Sequence, residues 1–423
     1  MALSRIWSAF IIVAIVVAAI KCFFFGNTEI FNWMVTGKAD DPANLTKADG
    51  IFETCWTSVN IALKLIGIMA LFLGFMNIAE KAGGIRVLSK VIGPFFSRLF
   101  PEVPKNHPVF GHMMMNFSAN LLGLDNAATP FGLKTMESLQ ELNPSKTTAS
   151  NSQIMFLSLH ASGFNIIPVA VIAARASMKA ANPVDIFVPC LIATFAATLA
   201  AIIVVSLKQK INLFQPVIIG WLFGITSLIT ILVLYLSRLN AVAVQSFSSL
   251  LSNGLILLIF LLIILGALYK KINLFEAFVD GAKGGFEIAI KIIPYLVGML
   301  VAISMLRTSG TFDVIINSVK HLFASMGADT RFVDGLPTAL VRPMSGAASR
   351  GMMFDAMKTF SPDSFAGRLS CILQGSSDTT FYVVAVYFGA VSIKNTRYSI
   401  GAMLLADLVG VVVSILVCYL FFG

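Results

Sequence analysis

Apolar runs of about 20 residues, the length an α-helix needs to cross a hydrocarbon core, recur along the chain between short polar or basic stretches. The pattern predicts nine spans: Trp7–Phe25, Cys55–Ile78, Gln153–Ala174, Val184–Leu207, Gln215–Leu236, Ser248–Tyr269, Phe286–Leu306, Leu369–Val391 and Ser399–Phe422. The runs are continuous rather than alternating, which argues against a β-barrel. No small-residue cleavage site follows Trp7–Phe25, so it reads as a retained helix rather than a secretory signal. The polar stretch from about Gly26 to Gly50 is assigned to the outside.

Between the second and third spans the pattern changes. Ile85–Phe100 places Arg86, Lys90 and Arg98 among apolar residues at helical spacing, which suits a helix lying in the membrane interface. After the Pro101–Pro108 break, Val109–Leu124 and Leu133–Leu142 flank a tip of Asp125, Asn126, Thr129, Pro130 and Gly132. Two short arms around such a tip predict a re-entrant hairpin rather than two crossings.

The same parts return in the second half, as expected of a duplicated unit. Val59-Asn-Ile-Ala-Leu-Lys64 matches Phe286-Glu-Ile-Ala-Ile-Lys291, and Lys81-Ala-Gly83 matches Thr308-Ser-Gly310. Asn126-Ala-Ala128 matches Gly346-Ala-Ala348, and Ser162-Gly-Phe164 matches Thr379-Thr-Phe381. Each match alone is no better than chance similarity between apolar segments; their common order argues for a repeat. Basic residues assign Arg5, Lys81–Arg98, Lys208–Lys210 and Lys270–Lys283 to the inside. The second span then runs inward and its partner, the seventh, outward, so the repeat is inverted. Arg175, Lys179 and Arg307 fall outside, against the trend.

Composition bounds the function. The chain has 423 residues, 57% hydrophobic and 12% charged, too apolar for a water-facing surface and with little room for a soluble catalytic domain. The net charge of +9 sits at the ends of apolar runs, so it marks topology rather than a nucleic-acid partner. The five cysteines lie singly, without CxxC pairs, and no metal or other cofactor is expected. His107 and His112 lack carboxylates at ligand spacing. No P-loop, GxSxG or HExxH motif occurs, so neither an ATP-driven pump nor an enzyme is expected, although Ser377, Asp378 and His160 are the residue types of a hydrolase triad.

Polar residues at membrane depth point to the chemistry, because backbone and side-chain polar groups there need partners or water. Two predicted spans carry them: Leu157–Pro168, with His160, Ser162 and Asn165, and Leu373–Phe381, with Gln374, Ser376, Ser377, Asp378, Thr379 and Thr380. Ser, Gly and Pro in mid-span favour broken helices whose free ends meet a solute or ion. Each is expected to face a hairpin tip, Asn126 and Thr129 on one and Ser345 and Ser349 on the other. The alternative is that small polar residues only let helices pack closely. Asp378 is the candidate for a cation, a proton or a substrate hydrogen bond. His160 reads as a proton carrier or a structural histidine. Arg350 is a candidate for anionic groups, Arg342 for anchoring its tip. Asp125 reads as a helix cap, and Asp407 has no evident partner.

These motifs resemble known families. Asn116-Phe-Ser-Ala-Asn120-Leu-Leu-Gly123-Leu-Asp-Asn126-Ala-Ala-Thr129-Pro130-Phe-Gly132-Leu-Lys-Thr-Met136, with Leu142-Asn-Pro144 and Ala181-Asn-Pro183, resembles the spore maturation protein A family. Arg342-Pro-Met-Ser-Gly346, Pro362-Asp-Ser364-Phe, Gly367-Arg-Leu and Gln374-Gly-Ser-Ser-Asp378-Thr-Thr-Phe-Tyr382 resemble the spore maturation protein B family. The chain looks like a fusion: residues 1–212 similar to A, 213–244 a linking transmembrane segment, and 245–423 similar to B. Both families belong to the nucleoside-recognition, or gate-domain, group, which is similar to the concentrative nucleoside transporters. His160 and Asp125 depart from the A pattern, which more often has uncharged residues there. The resemblance implies two inverted repeats, each with an interfacial helix, a re-entrant hairpin and a broken helix, with substrate held between tips and broken helices.

The expectation is an all-α polytopic protein of the bacterial inner membrane, acting as a secondary transporter of a small polar or anionic solute by alternating access. Its coupling ion would be H⁺ or Na⁺, held by Asp378 and His160, and the resemblance implies a homo-oligomer. The alternative is a membrane scaffold or regulatory subunit on a transporter-like core.

Overall fold

A computed structural model describes residues 2–37, 50–104, 107–121, 125–236, 238–239 and 241–423. Residues 38–49 of the polar stretch assigned to the outside, and residues 122–124 just before the expected hairpin tip, lie outside the described residues. In chain order the helices are α1 (Ala2–Phe25), α2 (Ile30–Thr36), α3 (Ile51–Lys81), α4 (Gly84–Leu99), α5 (Val109–Leu121), α6 (Asp125–Leu142), α7 (Asn151–Ser162), α8 (Val169–Ser177) and α9 (Phe187–Gln209). They continue as α10 (Pro216–Leu236), α11 (Ala241–Tyr269), α12 (Leu274–Thr308), α13 (Thr311–Ser325), α14 (Leu336–Val341), α15 (Gly346–Phe360), α16 (Phe365–Gly375), α17 (Thr380–Val383) and α18 (Ser399–Phe422). Among the described residues the only β-contact is an isolated bridge between Thr148 and Asn395.

Seven helices of the described chain are long and apolar enough to cross a membrane, among them Phe187–Gln209, Pro216–Leu236 and Ser399–Phe422. The protein is an all-α, multi-pass membrane protein. Phe223 and Leu228 on α10, and Leu250 and Leu257 on α11, are each at least 67% exposed. In water those faces would be costly; against acyl chains they are solvated by their own kind.

The count of seven rather than nine continuous spans has a local cause. Gln153–Ala174 is split into α7 and α8 by residues 163–168. Gly163 ends α7 in the left-handed conformation (φ +54°), and Pro168 pushes the residue before it toward extended backbone. Leu369–Val391 is split into α16 and α17 by residues 376–379, where Thr379 is extended and the Asp378 side chain accepts from the Thr379 N–H at 2.7 Å. A turn of π-helix, Val384–Phe388, follows α17.

Two other elements differ from the pattern-based expectation. α12 begins at Leu274, not Phe286, because its glycines serve packing rather than termination: a Cβ on Gly281 would lie 2.5 Å from the Asn77 Cβ on α3. α6 begins at Asp125, so the expected tip around Pro130 is helical; this close to the helix start the missing N–H forfeits one bond. The matched Gly83 and Gly310 do equivalent local work. Each is left-handed (φ +83° and +78°) and turns a long helix into a short amphipathic one, α4 or α13.

The chain divides into two compact units, each drawing on both halves of the sequence. The first comprises Met1–Met69, Ala173–Pro183 and Gly285–Gln374. Its core is built on Ala14, Ala18, Met299, Ile303, Leu306 and Met352. Arg307 at the end of α12 grips Asp355 with Nε and Nη2 at 2.9 and 2.5 Å and lies over the Phe312 ring at 4.4 Å, a planar fork that lysine would not reproduce. Arg175, fully buried, donates to Pro362 O, Asn182 O and Asp363 Oδ1.

The second unit comprises Ala70–Ile172, Val184–Gly284 and Gly375–Gly423. α4 presents Ile92, Phe95, Phe96 and Leu99 to it at helical spacing and leaves Lys90 and Arg98 exposed. α18 lies along α9, and a Cβ on Gly410 would stand 3.3 Å from the Ala197 methyl, the close approach that small residues allow. Before α7, Ser150 and Gln153 form a reciprocal capping box. Arg397 donates to Ala149 O at 3.1 Å and Asn151 Oδ1 at 2.9 Å, fixing the same turn.

Candidate functional site

The site is built outward from the end of α7, in the second unit. On α5, Asn116 and Asn120 are four residues apart and share a face. Asn116, fully buried, donates from Nδ2 to Ala128 O on α6 at 2.6 Å and so ties the two helices together. This fixes the amide, and Asn116 Oδ1 lies 3.2 Å from His160 Nδ1. Asn120 Nδ2 lies 2.9 Å from the same nitrogen.

One ring nitrogen either donates or accepts. Protonated, Nδ1 donates to Asn116 Oδ1, and Asn120 must turn its oxygen toward the ring; unprotonated, Nδ1 accepts from Asn120 Nδ2. The position of the imidazole proton is therefore linked to an amide orientation. His160 is 5% exposed, and the Tyr387 ring, carried on the π-turn, meets it nearly edge-on at 4.8 Å and 71°. π-turns recur at functional sites because they re-aim single side chains.

The two interruptions meet here. Asp378 N donates to Ala161 O at 2.7 Å, next in sequence to His160. An added Cβ on Gly163 would lie 3.4 Å from Asp378 N, so the two backbones run in contact. Ile166 N in the first interruption donates to Leu121 O at the end of α5 (2.9 Å). Beyond Asp378, Thr380 Oγ1 donates to Asp407 Oδ2 at 2.7 Å, giving Asp407 a partner that sequence did not reveal. A polar line thus runs from α5 through α7 and the second interruption to α18.

The predicted residues fall in two sets. Thr129, His160, Ser162, Asn165, Ser376, Ser377, Asp378, Thr379 and Thr380 belong to the second unit. Of these, Ser162 bonds back to Leu159 O at 2.9 Å, while Asn165 and Thr129 are half-buried. Ser376, Ser377, Thr379 and Thr380 are buried. The side chains of Asp125 and Asn126 lie outside the described residues. Ser345, Ser349 and Gln374 belong to the first unit. There Ser345 caps α15 by accepting from Ala348 N at 3.1 Å. Ser349 Oγ lies 2.9 Å from Thr338 O and 2.6 Å from Gln374 Oε1. One hydroxyl carries one proton, so both contacts are satisfied only with the Gln374 amide turned to present Nε2.

Sequence reasoning did not select Asn116, Asn120 or Tyr387. The available signal was two carboxamides one turn apart in an apolar helix. Beside them, a cavity of about 90 Å³ is lined by Asn120 and by apolar side chains including Phe95, Phe117, Phe195 and Trp221. Among the described residues no three His, Cys, Asp or Glu side chains are grouped to hold a metal ion.

The family of this arrangement follows from comparison. The nucleoside-recognition Gate family matches residues 62–178 and 289–394, more than half of the chain and both interrupted segments. The chain belongs to the Gate family. Two Bacillus subtilis (strain 168) proteins are similar to it over different portions. One is spore maturation protein B, 49% identical over 41% of this chain and 96% of its own length. The other is spore maturation protein A, 38% identical over 37% of this chain and 80% of its own length. The chain is thus a Gate protein whose two relatives are separate proteins, consistent with a fusion. No solved structure matches it. The Gate stretches contain α5 to α7, α14 to α17 and every predicted site residue; Asp407 lies beyond them.

Proposed function

We propose that this Gate protein is a secondary transporter of a small polar or anionic solute, working by alternating access in the bacterial inner membrane. In this reading α5–α6 and α14–α15 are re-entrant hairpins of two inverted repeats. α7–α8 and α16–α17 are their broken helices, and H⁺ or Na⁺ is the coupling ion. The carrying observation is the meeting of the two interruptions, Asp378 N on Ala161 O at 2.7 Å, in a buried patch with His160, Asn116 and Asn120. Backbone is left irregular at membrane depth where it lines a polar site. The family's name, nucleoside recognition, makes nucleosides the first solutes to test.

A second reading is a scaffold or regulatory subunit that moves no solute. It is favoured by the direct bond from Asp378 N to Ala161 O, which commits a backbone group that a solute would otherwise use. The relatives' names describe spore maturation and no transport.

Uptake into proteoliposomes of labelled nucleosides, nucleotides and small carboxylates separates the two. Saturable flux that falls at least about tenfold in Asp378→Ala supports transport, a drop equivalent to ~1.4 kcal/mol. No saturable flux for any of these solutes supports the scaffold.

A further inference from the structure

α4 carries the basic residues Arg86, Lys90 and Arg98 and no acidic one. Its Ile92, Phe95 and Phe96 form one wall of the cavity of about 90 Å³ in the second unit. α5, α7, α9 and α10 supply the rest, α9 with Thr198 and Leu199. Aromatic contacts pin these elements around the space. Phe96 stacks on the Phe117 ring of α5 at 4.4 Å, and Phe95 meets Trp221 of α10 at 6.1 Å.

What the cavity accepts follows from its lining and its size. Apart from the Trp221 indole, its polar side chains are Asn120 and Thr198, and the Asn120 amide already faces His160 Nδ1 at 2.9 Å. A polar solute entering there would surrender hydrogen bonds to water against apolar walls, whereas an alkyl chain surrenders none. An apolar cavity of about 150 Å³ takes benzene. One of about 90 Å³ takes the end of an alkyl chain, not a base with its sugar. Phe96, Leu199, Trp221 and Leu222 line it and are half-buried, so it reaches the surface along α4, α9 and α10, where lipid tails surround the protein.

Charge decides which lipid. Lys90 and Arg98 are exposed, one two residues before Ile92 and the other two after Phe96, each roughly 3 Å of helix from the lining stretch. On a helix lying in the membrane interface such side chains extend to the level of the phosphates. The cavity and the two cations therefore complement the two parts of one molecule, an alkyl chain and an anionic headgroup.

We propose that the cavity and the basic face of α4 form a binding site for an anionic phospholipid of the bilayer. One acyl chain ends among Phe95, Leu199 and Trp221, and Lys90 and Arg98 hold the headgroup. The site does not depend on the transport reading.

Photolabelling tests this. Phosphatidylglycerol and phosphatidylcholine, each with a diazirine at the end of one acyl chain, are photolysed with the full chain in liposomes, and the labelled peptides are mapped by mass spectrometry. The expected label concentrates on residues 195–202 and 221–225, with phosphatidylglycerol ahead by roughly tenfold, as two basic side chains near a membrane surface provide. Leu199→Trp, which fills the cavity, removes most of that label. Lys90→Gln with Arg98→Gln, both at exposed positions, brings the ratio of the two lipids toward one. Equal labelling by both lipids in the wild type overturns the proposal, and so does cavity label unchanged in Leu199→Trp. Label displaced by an added nucleoside but not by unlabelled phosphatidylglycerol also overturns it, since the cavity then belongs to a solute site. Should Leu199→Trp fail to fold, the double charge variant decides: a fallen ratio supports the site and an unmoved one overturns it.

Discussion

The ends of α7 and α16 invite comparison. Each is a short, largely buried helix that stops in mid-segment and sends a polar side chain to a neighbouring helix pair. At α7, His160 meets Asn116, and Asn116 also holds Ala128 O of α6. At α16, Gln374 meets Ser349, and Ser349 also contacts Thr338 O of α14. The architecture is shared and the chemistry is not, for an imidazole changes charge within reach of neutral pH and a carboxamide never does. His160 and Gln374 both lie near the ends of their helices, whereas Asp378 lies in the interruption itself. The α7 end therefore carries a group that can change charge, while the α16 end supplies constant hydrogen bonding.

The largest effect expected from this contrast is on stability. His160→Leu removes the partner of two asparagines, one of them fully buried, and leaves polar atoms unsatisfied at ~1–3 kcal/mol each. A loss of ~2–4 kcal/mol is expected. Gln374→Leu leaves Ser349 its bond to Thr338 O and is expected to lose ~1–2 kcal/mol. Unfolding of both variants in detergent micelles gives the two values. A Gln374→Leu loss equal to or greater than that of His160→Leu breaks the claim that the α7 end holds the denser network.

Exchanging the residues gives a sharper test with a smaller effect on folding. His160→Gln retains a donor and an acceptor, so it should stay within ~1 kcal/mol of wild type. If His160 is the proton carrier of the transport cycle, the exchange flattens the pH profile of uptake, because a carboxamide has no charge to change. Gln374→His should introduce a pH dependence where none existed. An unchanged profile in His160→Gln would reduce the histidine to a structural role.

Much of this was legible in the sequence, and what escaped is instructive. Length and apolar continuity located the spans, since crossing a hydrocarbon core constrains each segment by itself. Both breaks were legible for the same reason: Gly163, Pro168 and the Ser376–Thr379 run are local signals. The start of α12 escaped because residues 274–285 are broken up by charges and glycines, and their packing on α3, where Gly281 meets Asn77, is tertiary. Asn116 and Asp407 were visible as residues but not as partners. Their bonds to Ala128 and Thr380 join positions 12 and 27 residues apart through tertiary packing. Tyr387 reaches His160 only because a π-turn rotates it, and that turn has no pattern of its own.

The smallest effect concerns the glycines beside the two helix ends. Gly163 has φ +54°, and an alanine there would hold left-handed backbone at ~1–2 kcal/mol. Its Cβ would find ordinary contact with Asp378 N at 3.4 Å, so backbone strain is the whole expected loss. Gly375 is not left-handed, and its Cβ would stand 3.1 Å from Cys190 Sγ, a contact that a small rotation of a thiol relieves. Gly375→Ala should therefore lose less than ~1 kcal/mol. Melting curves of the two alanine variants decide the order. If Gly375→Ala is the more damaging, then close packing at the second interruption, and not the left-handed turn at the first, is what holds the two breaks in contact.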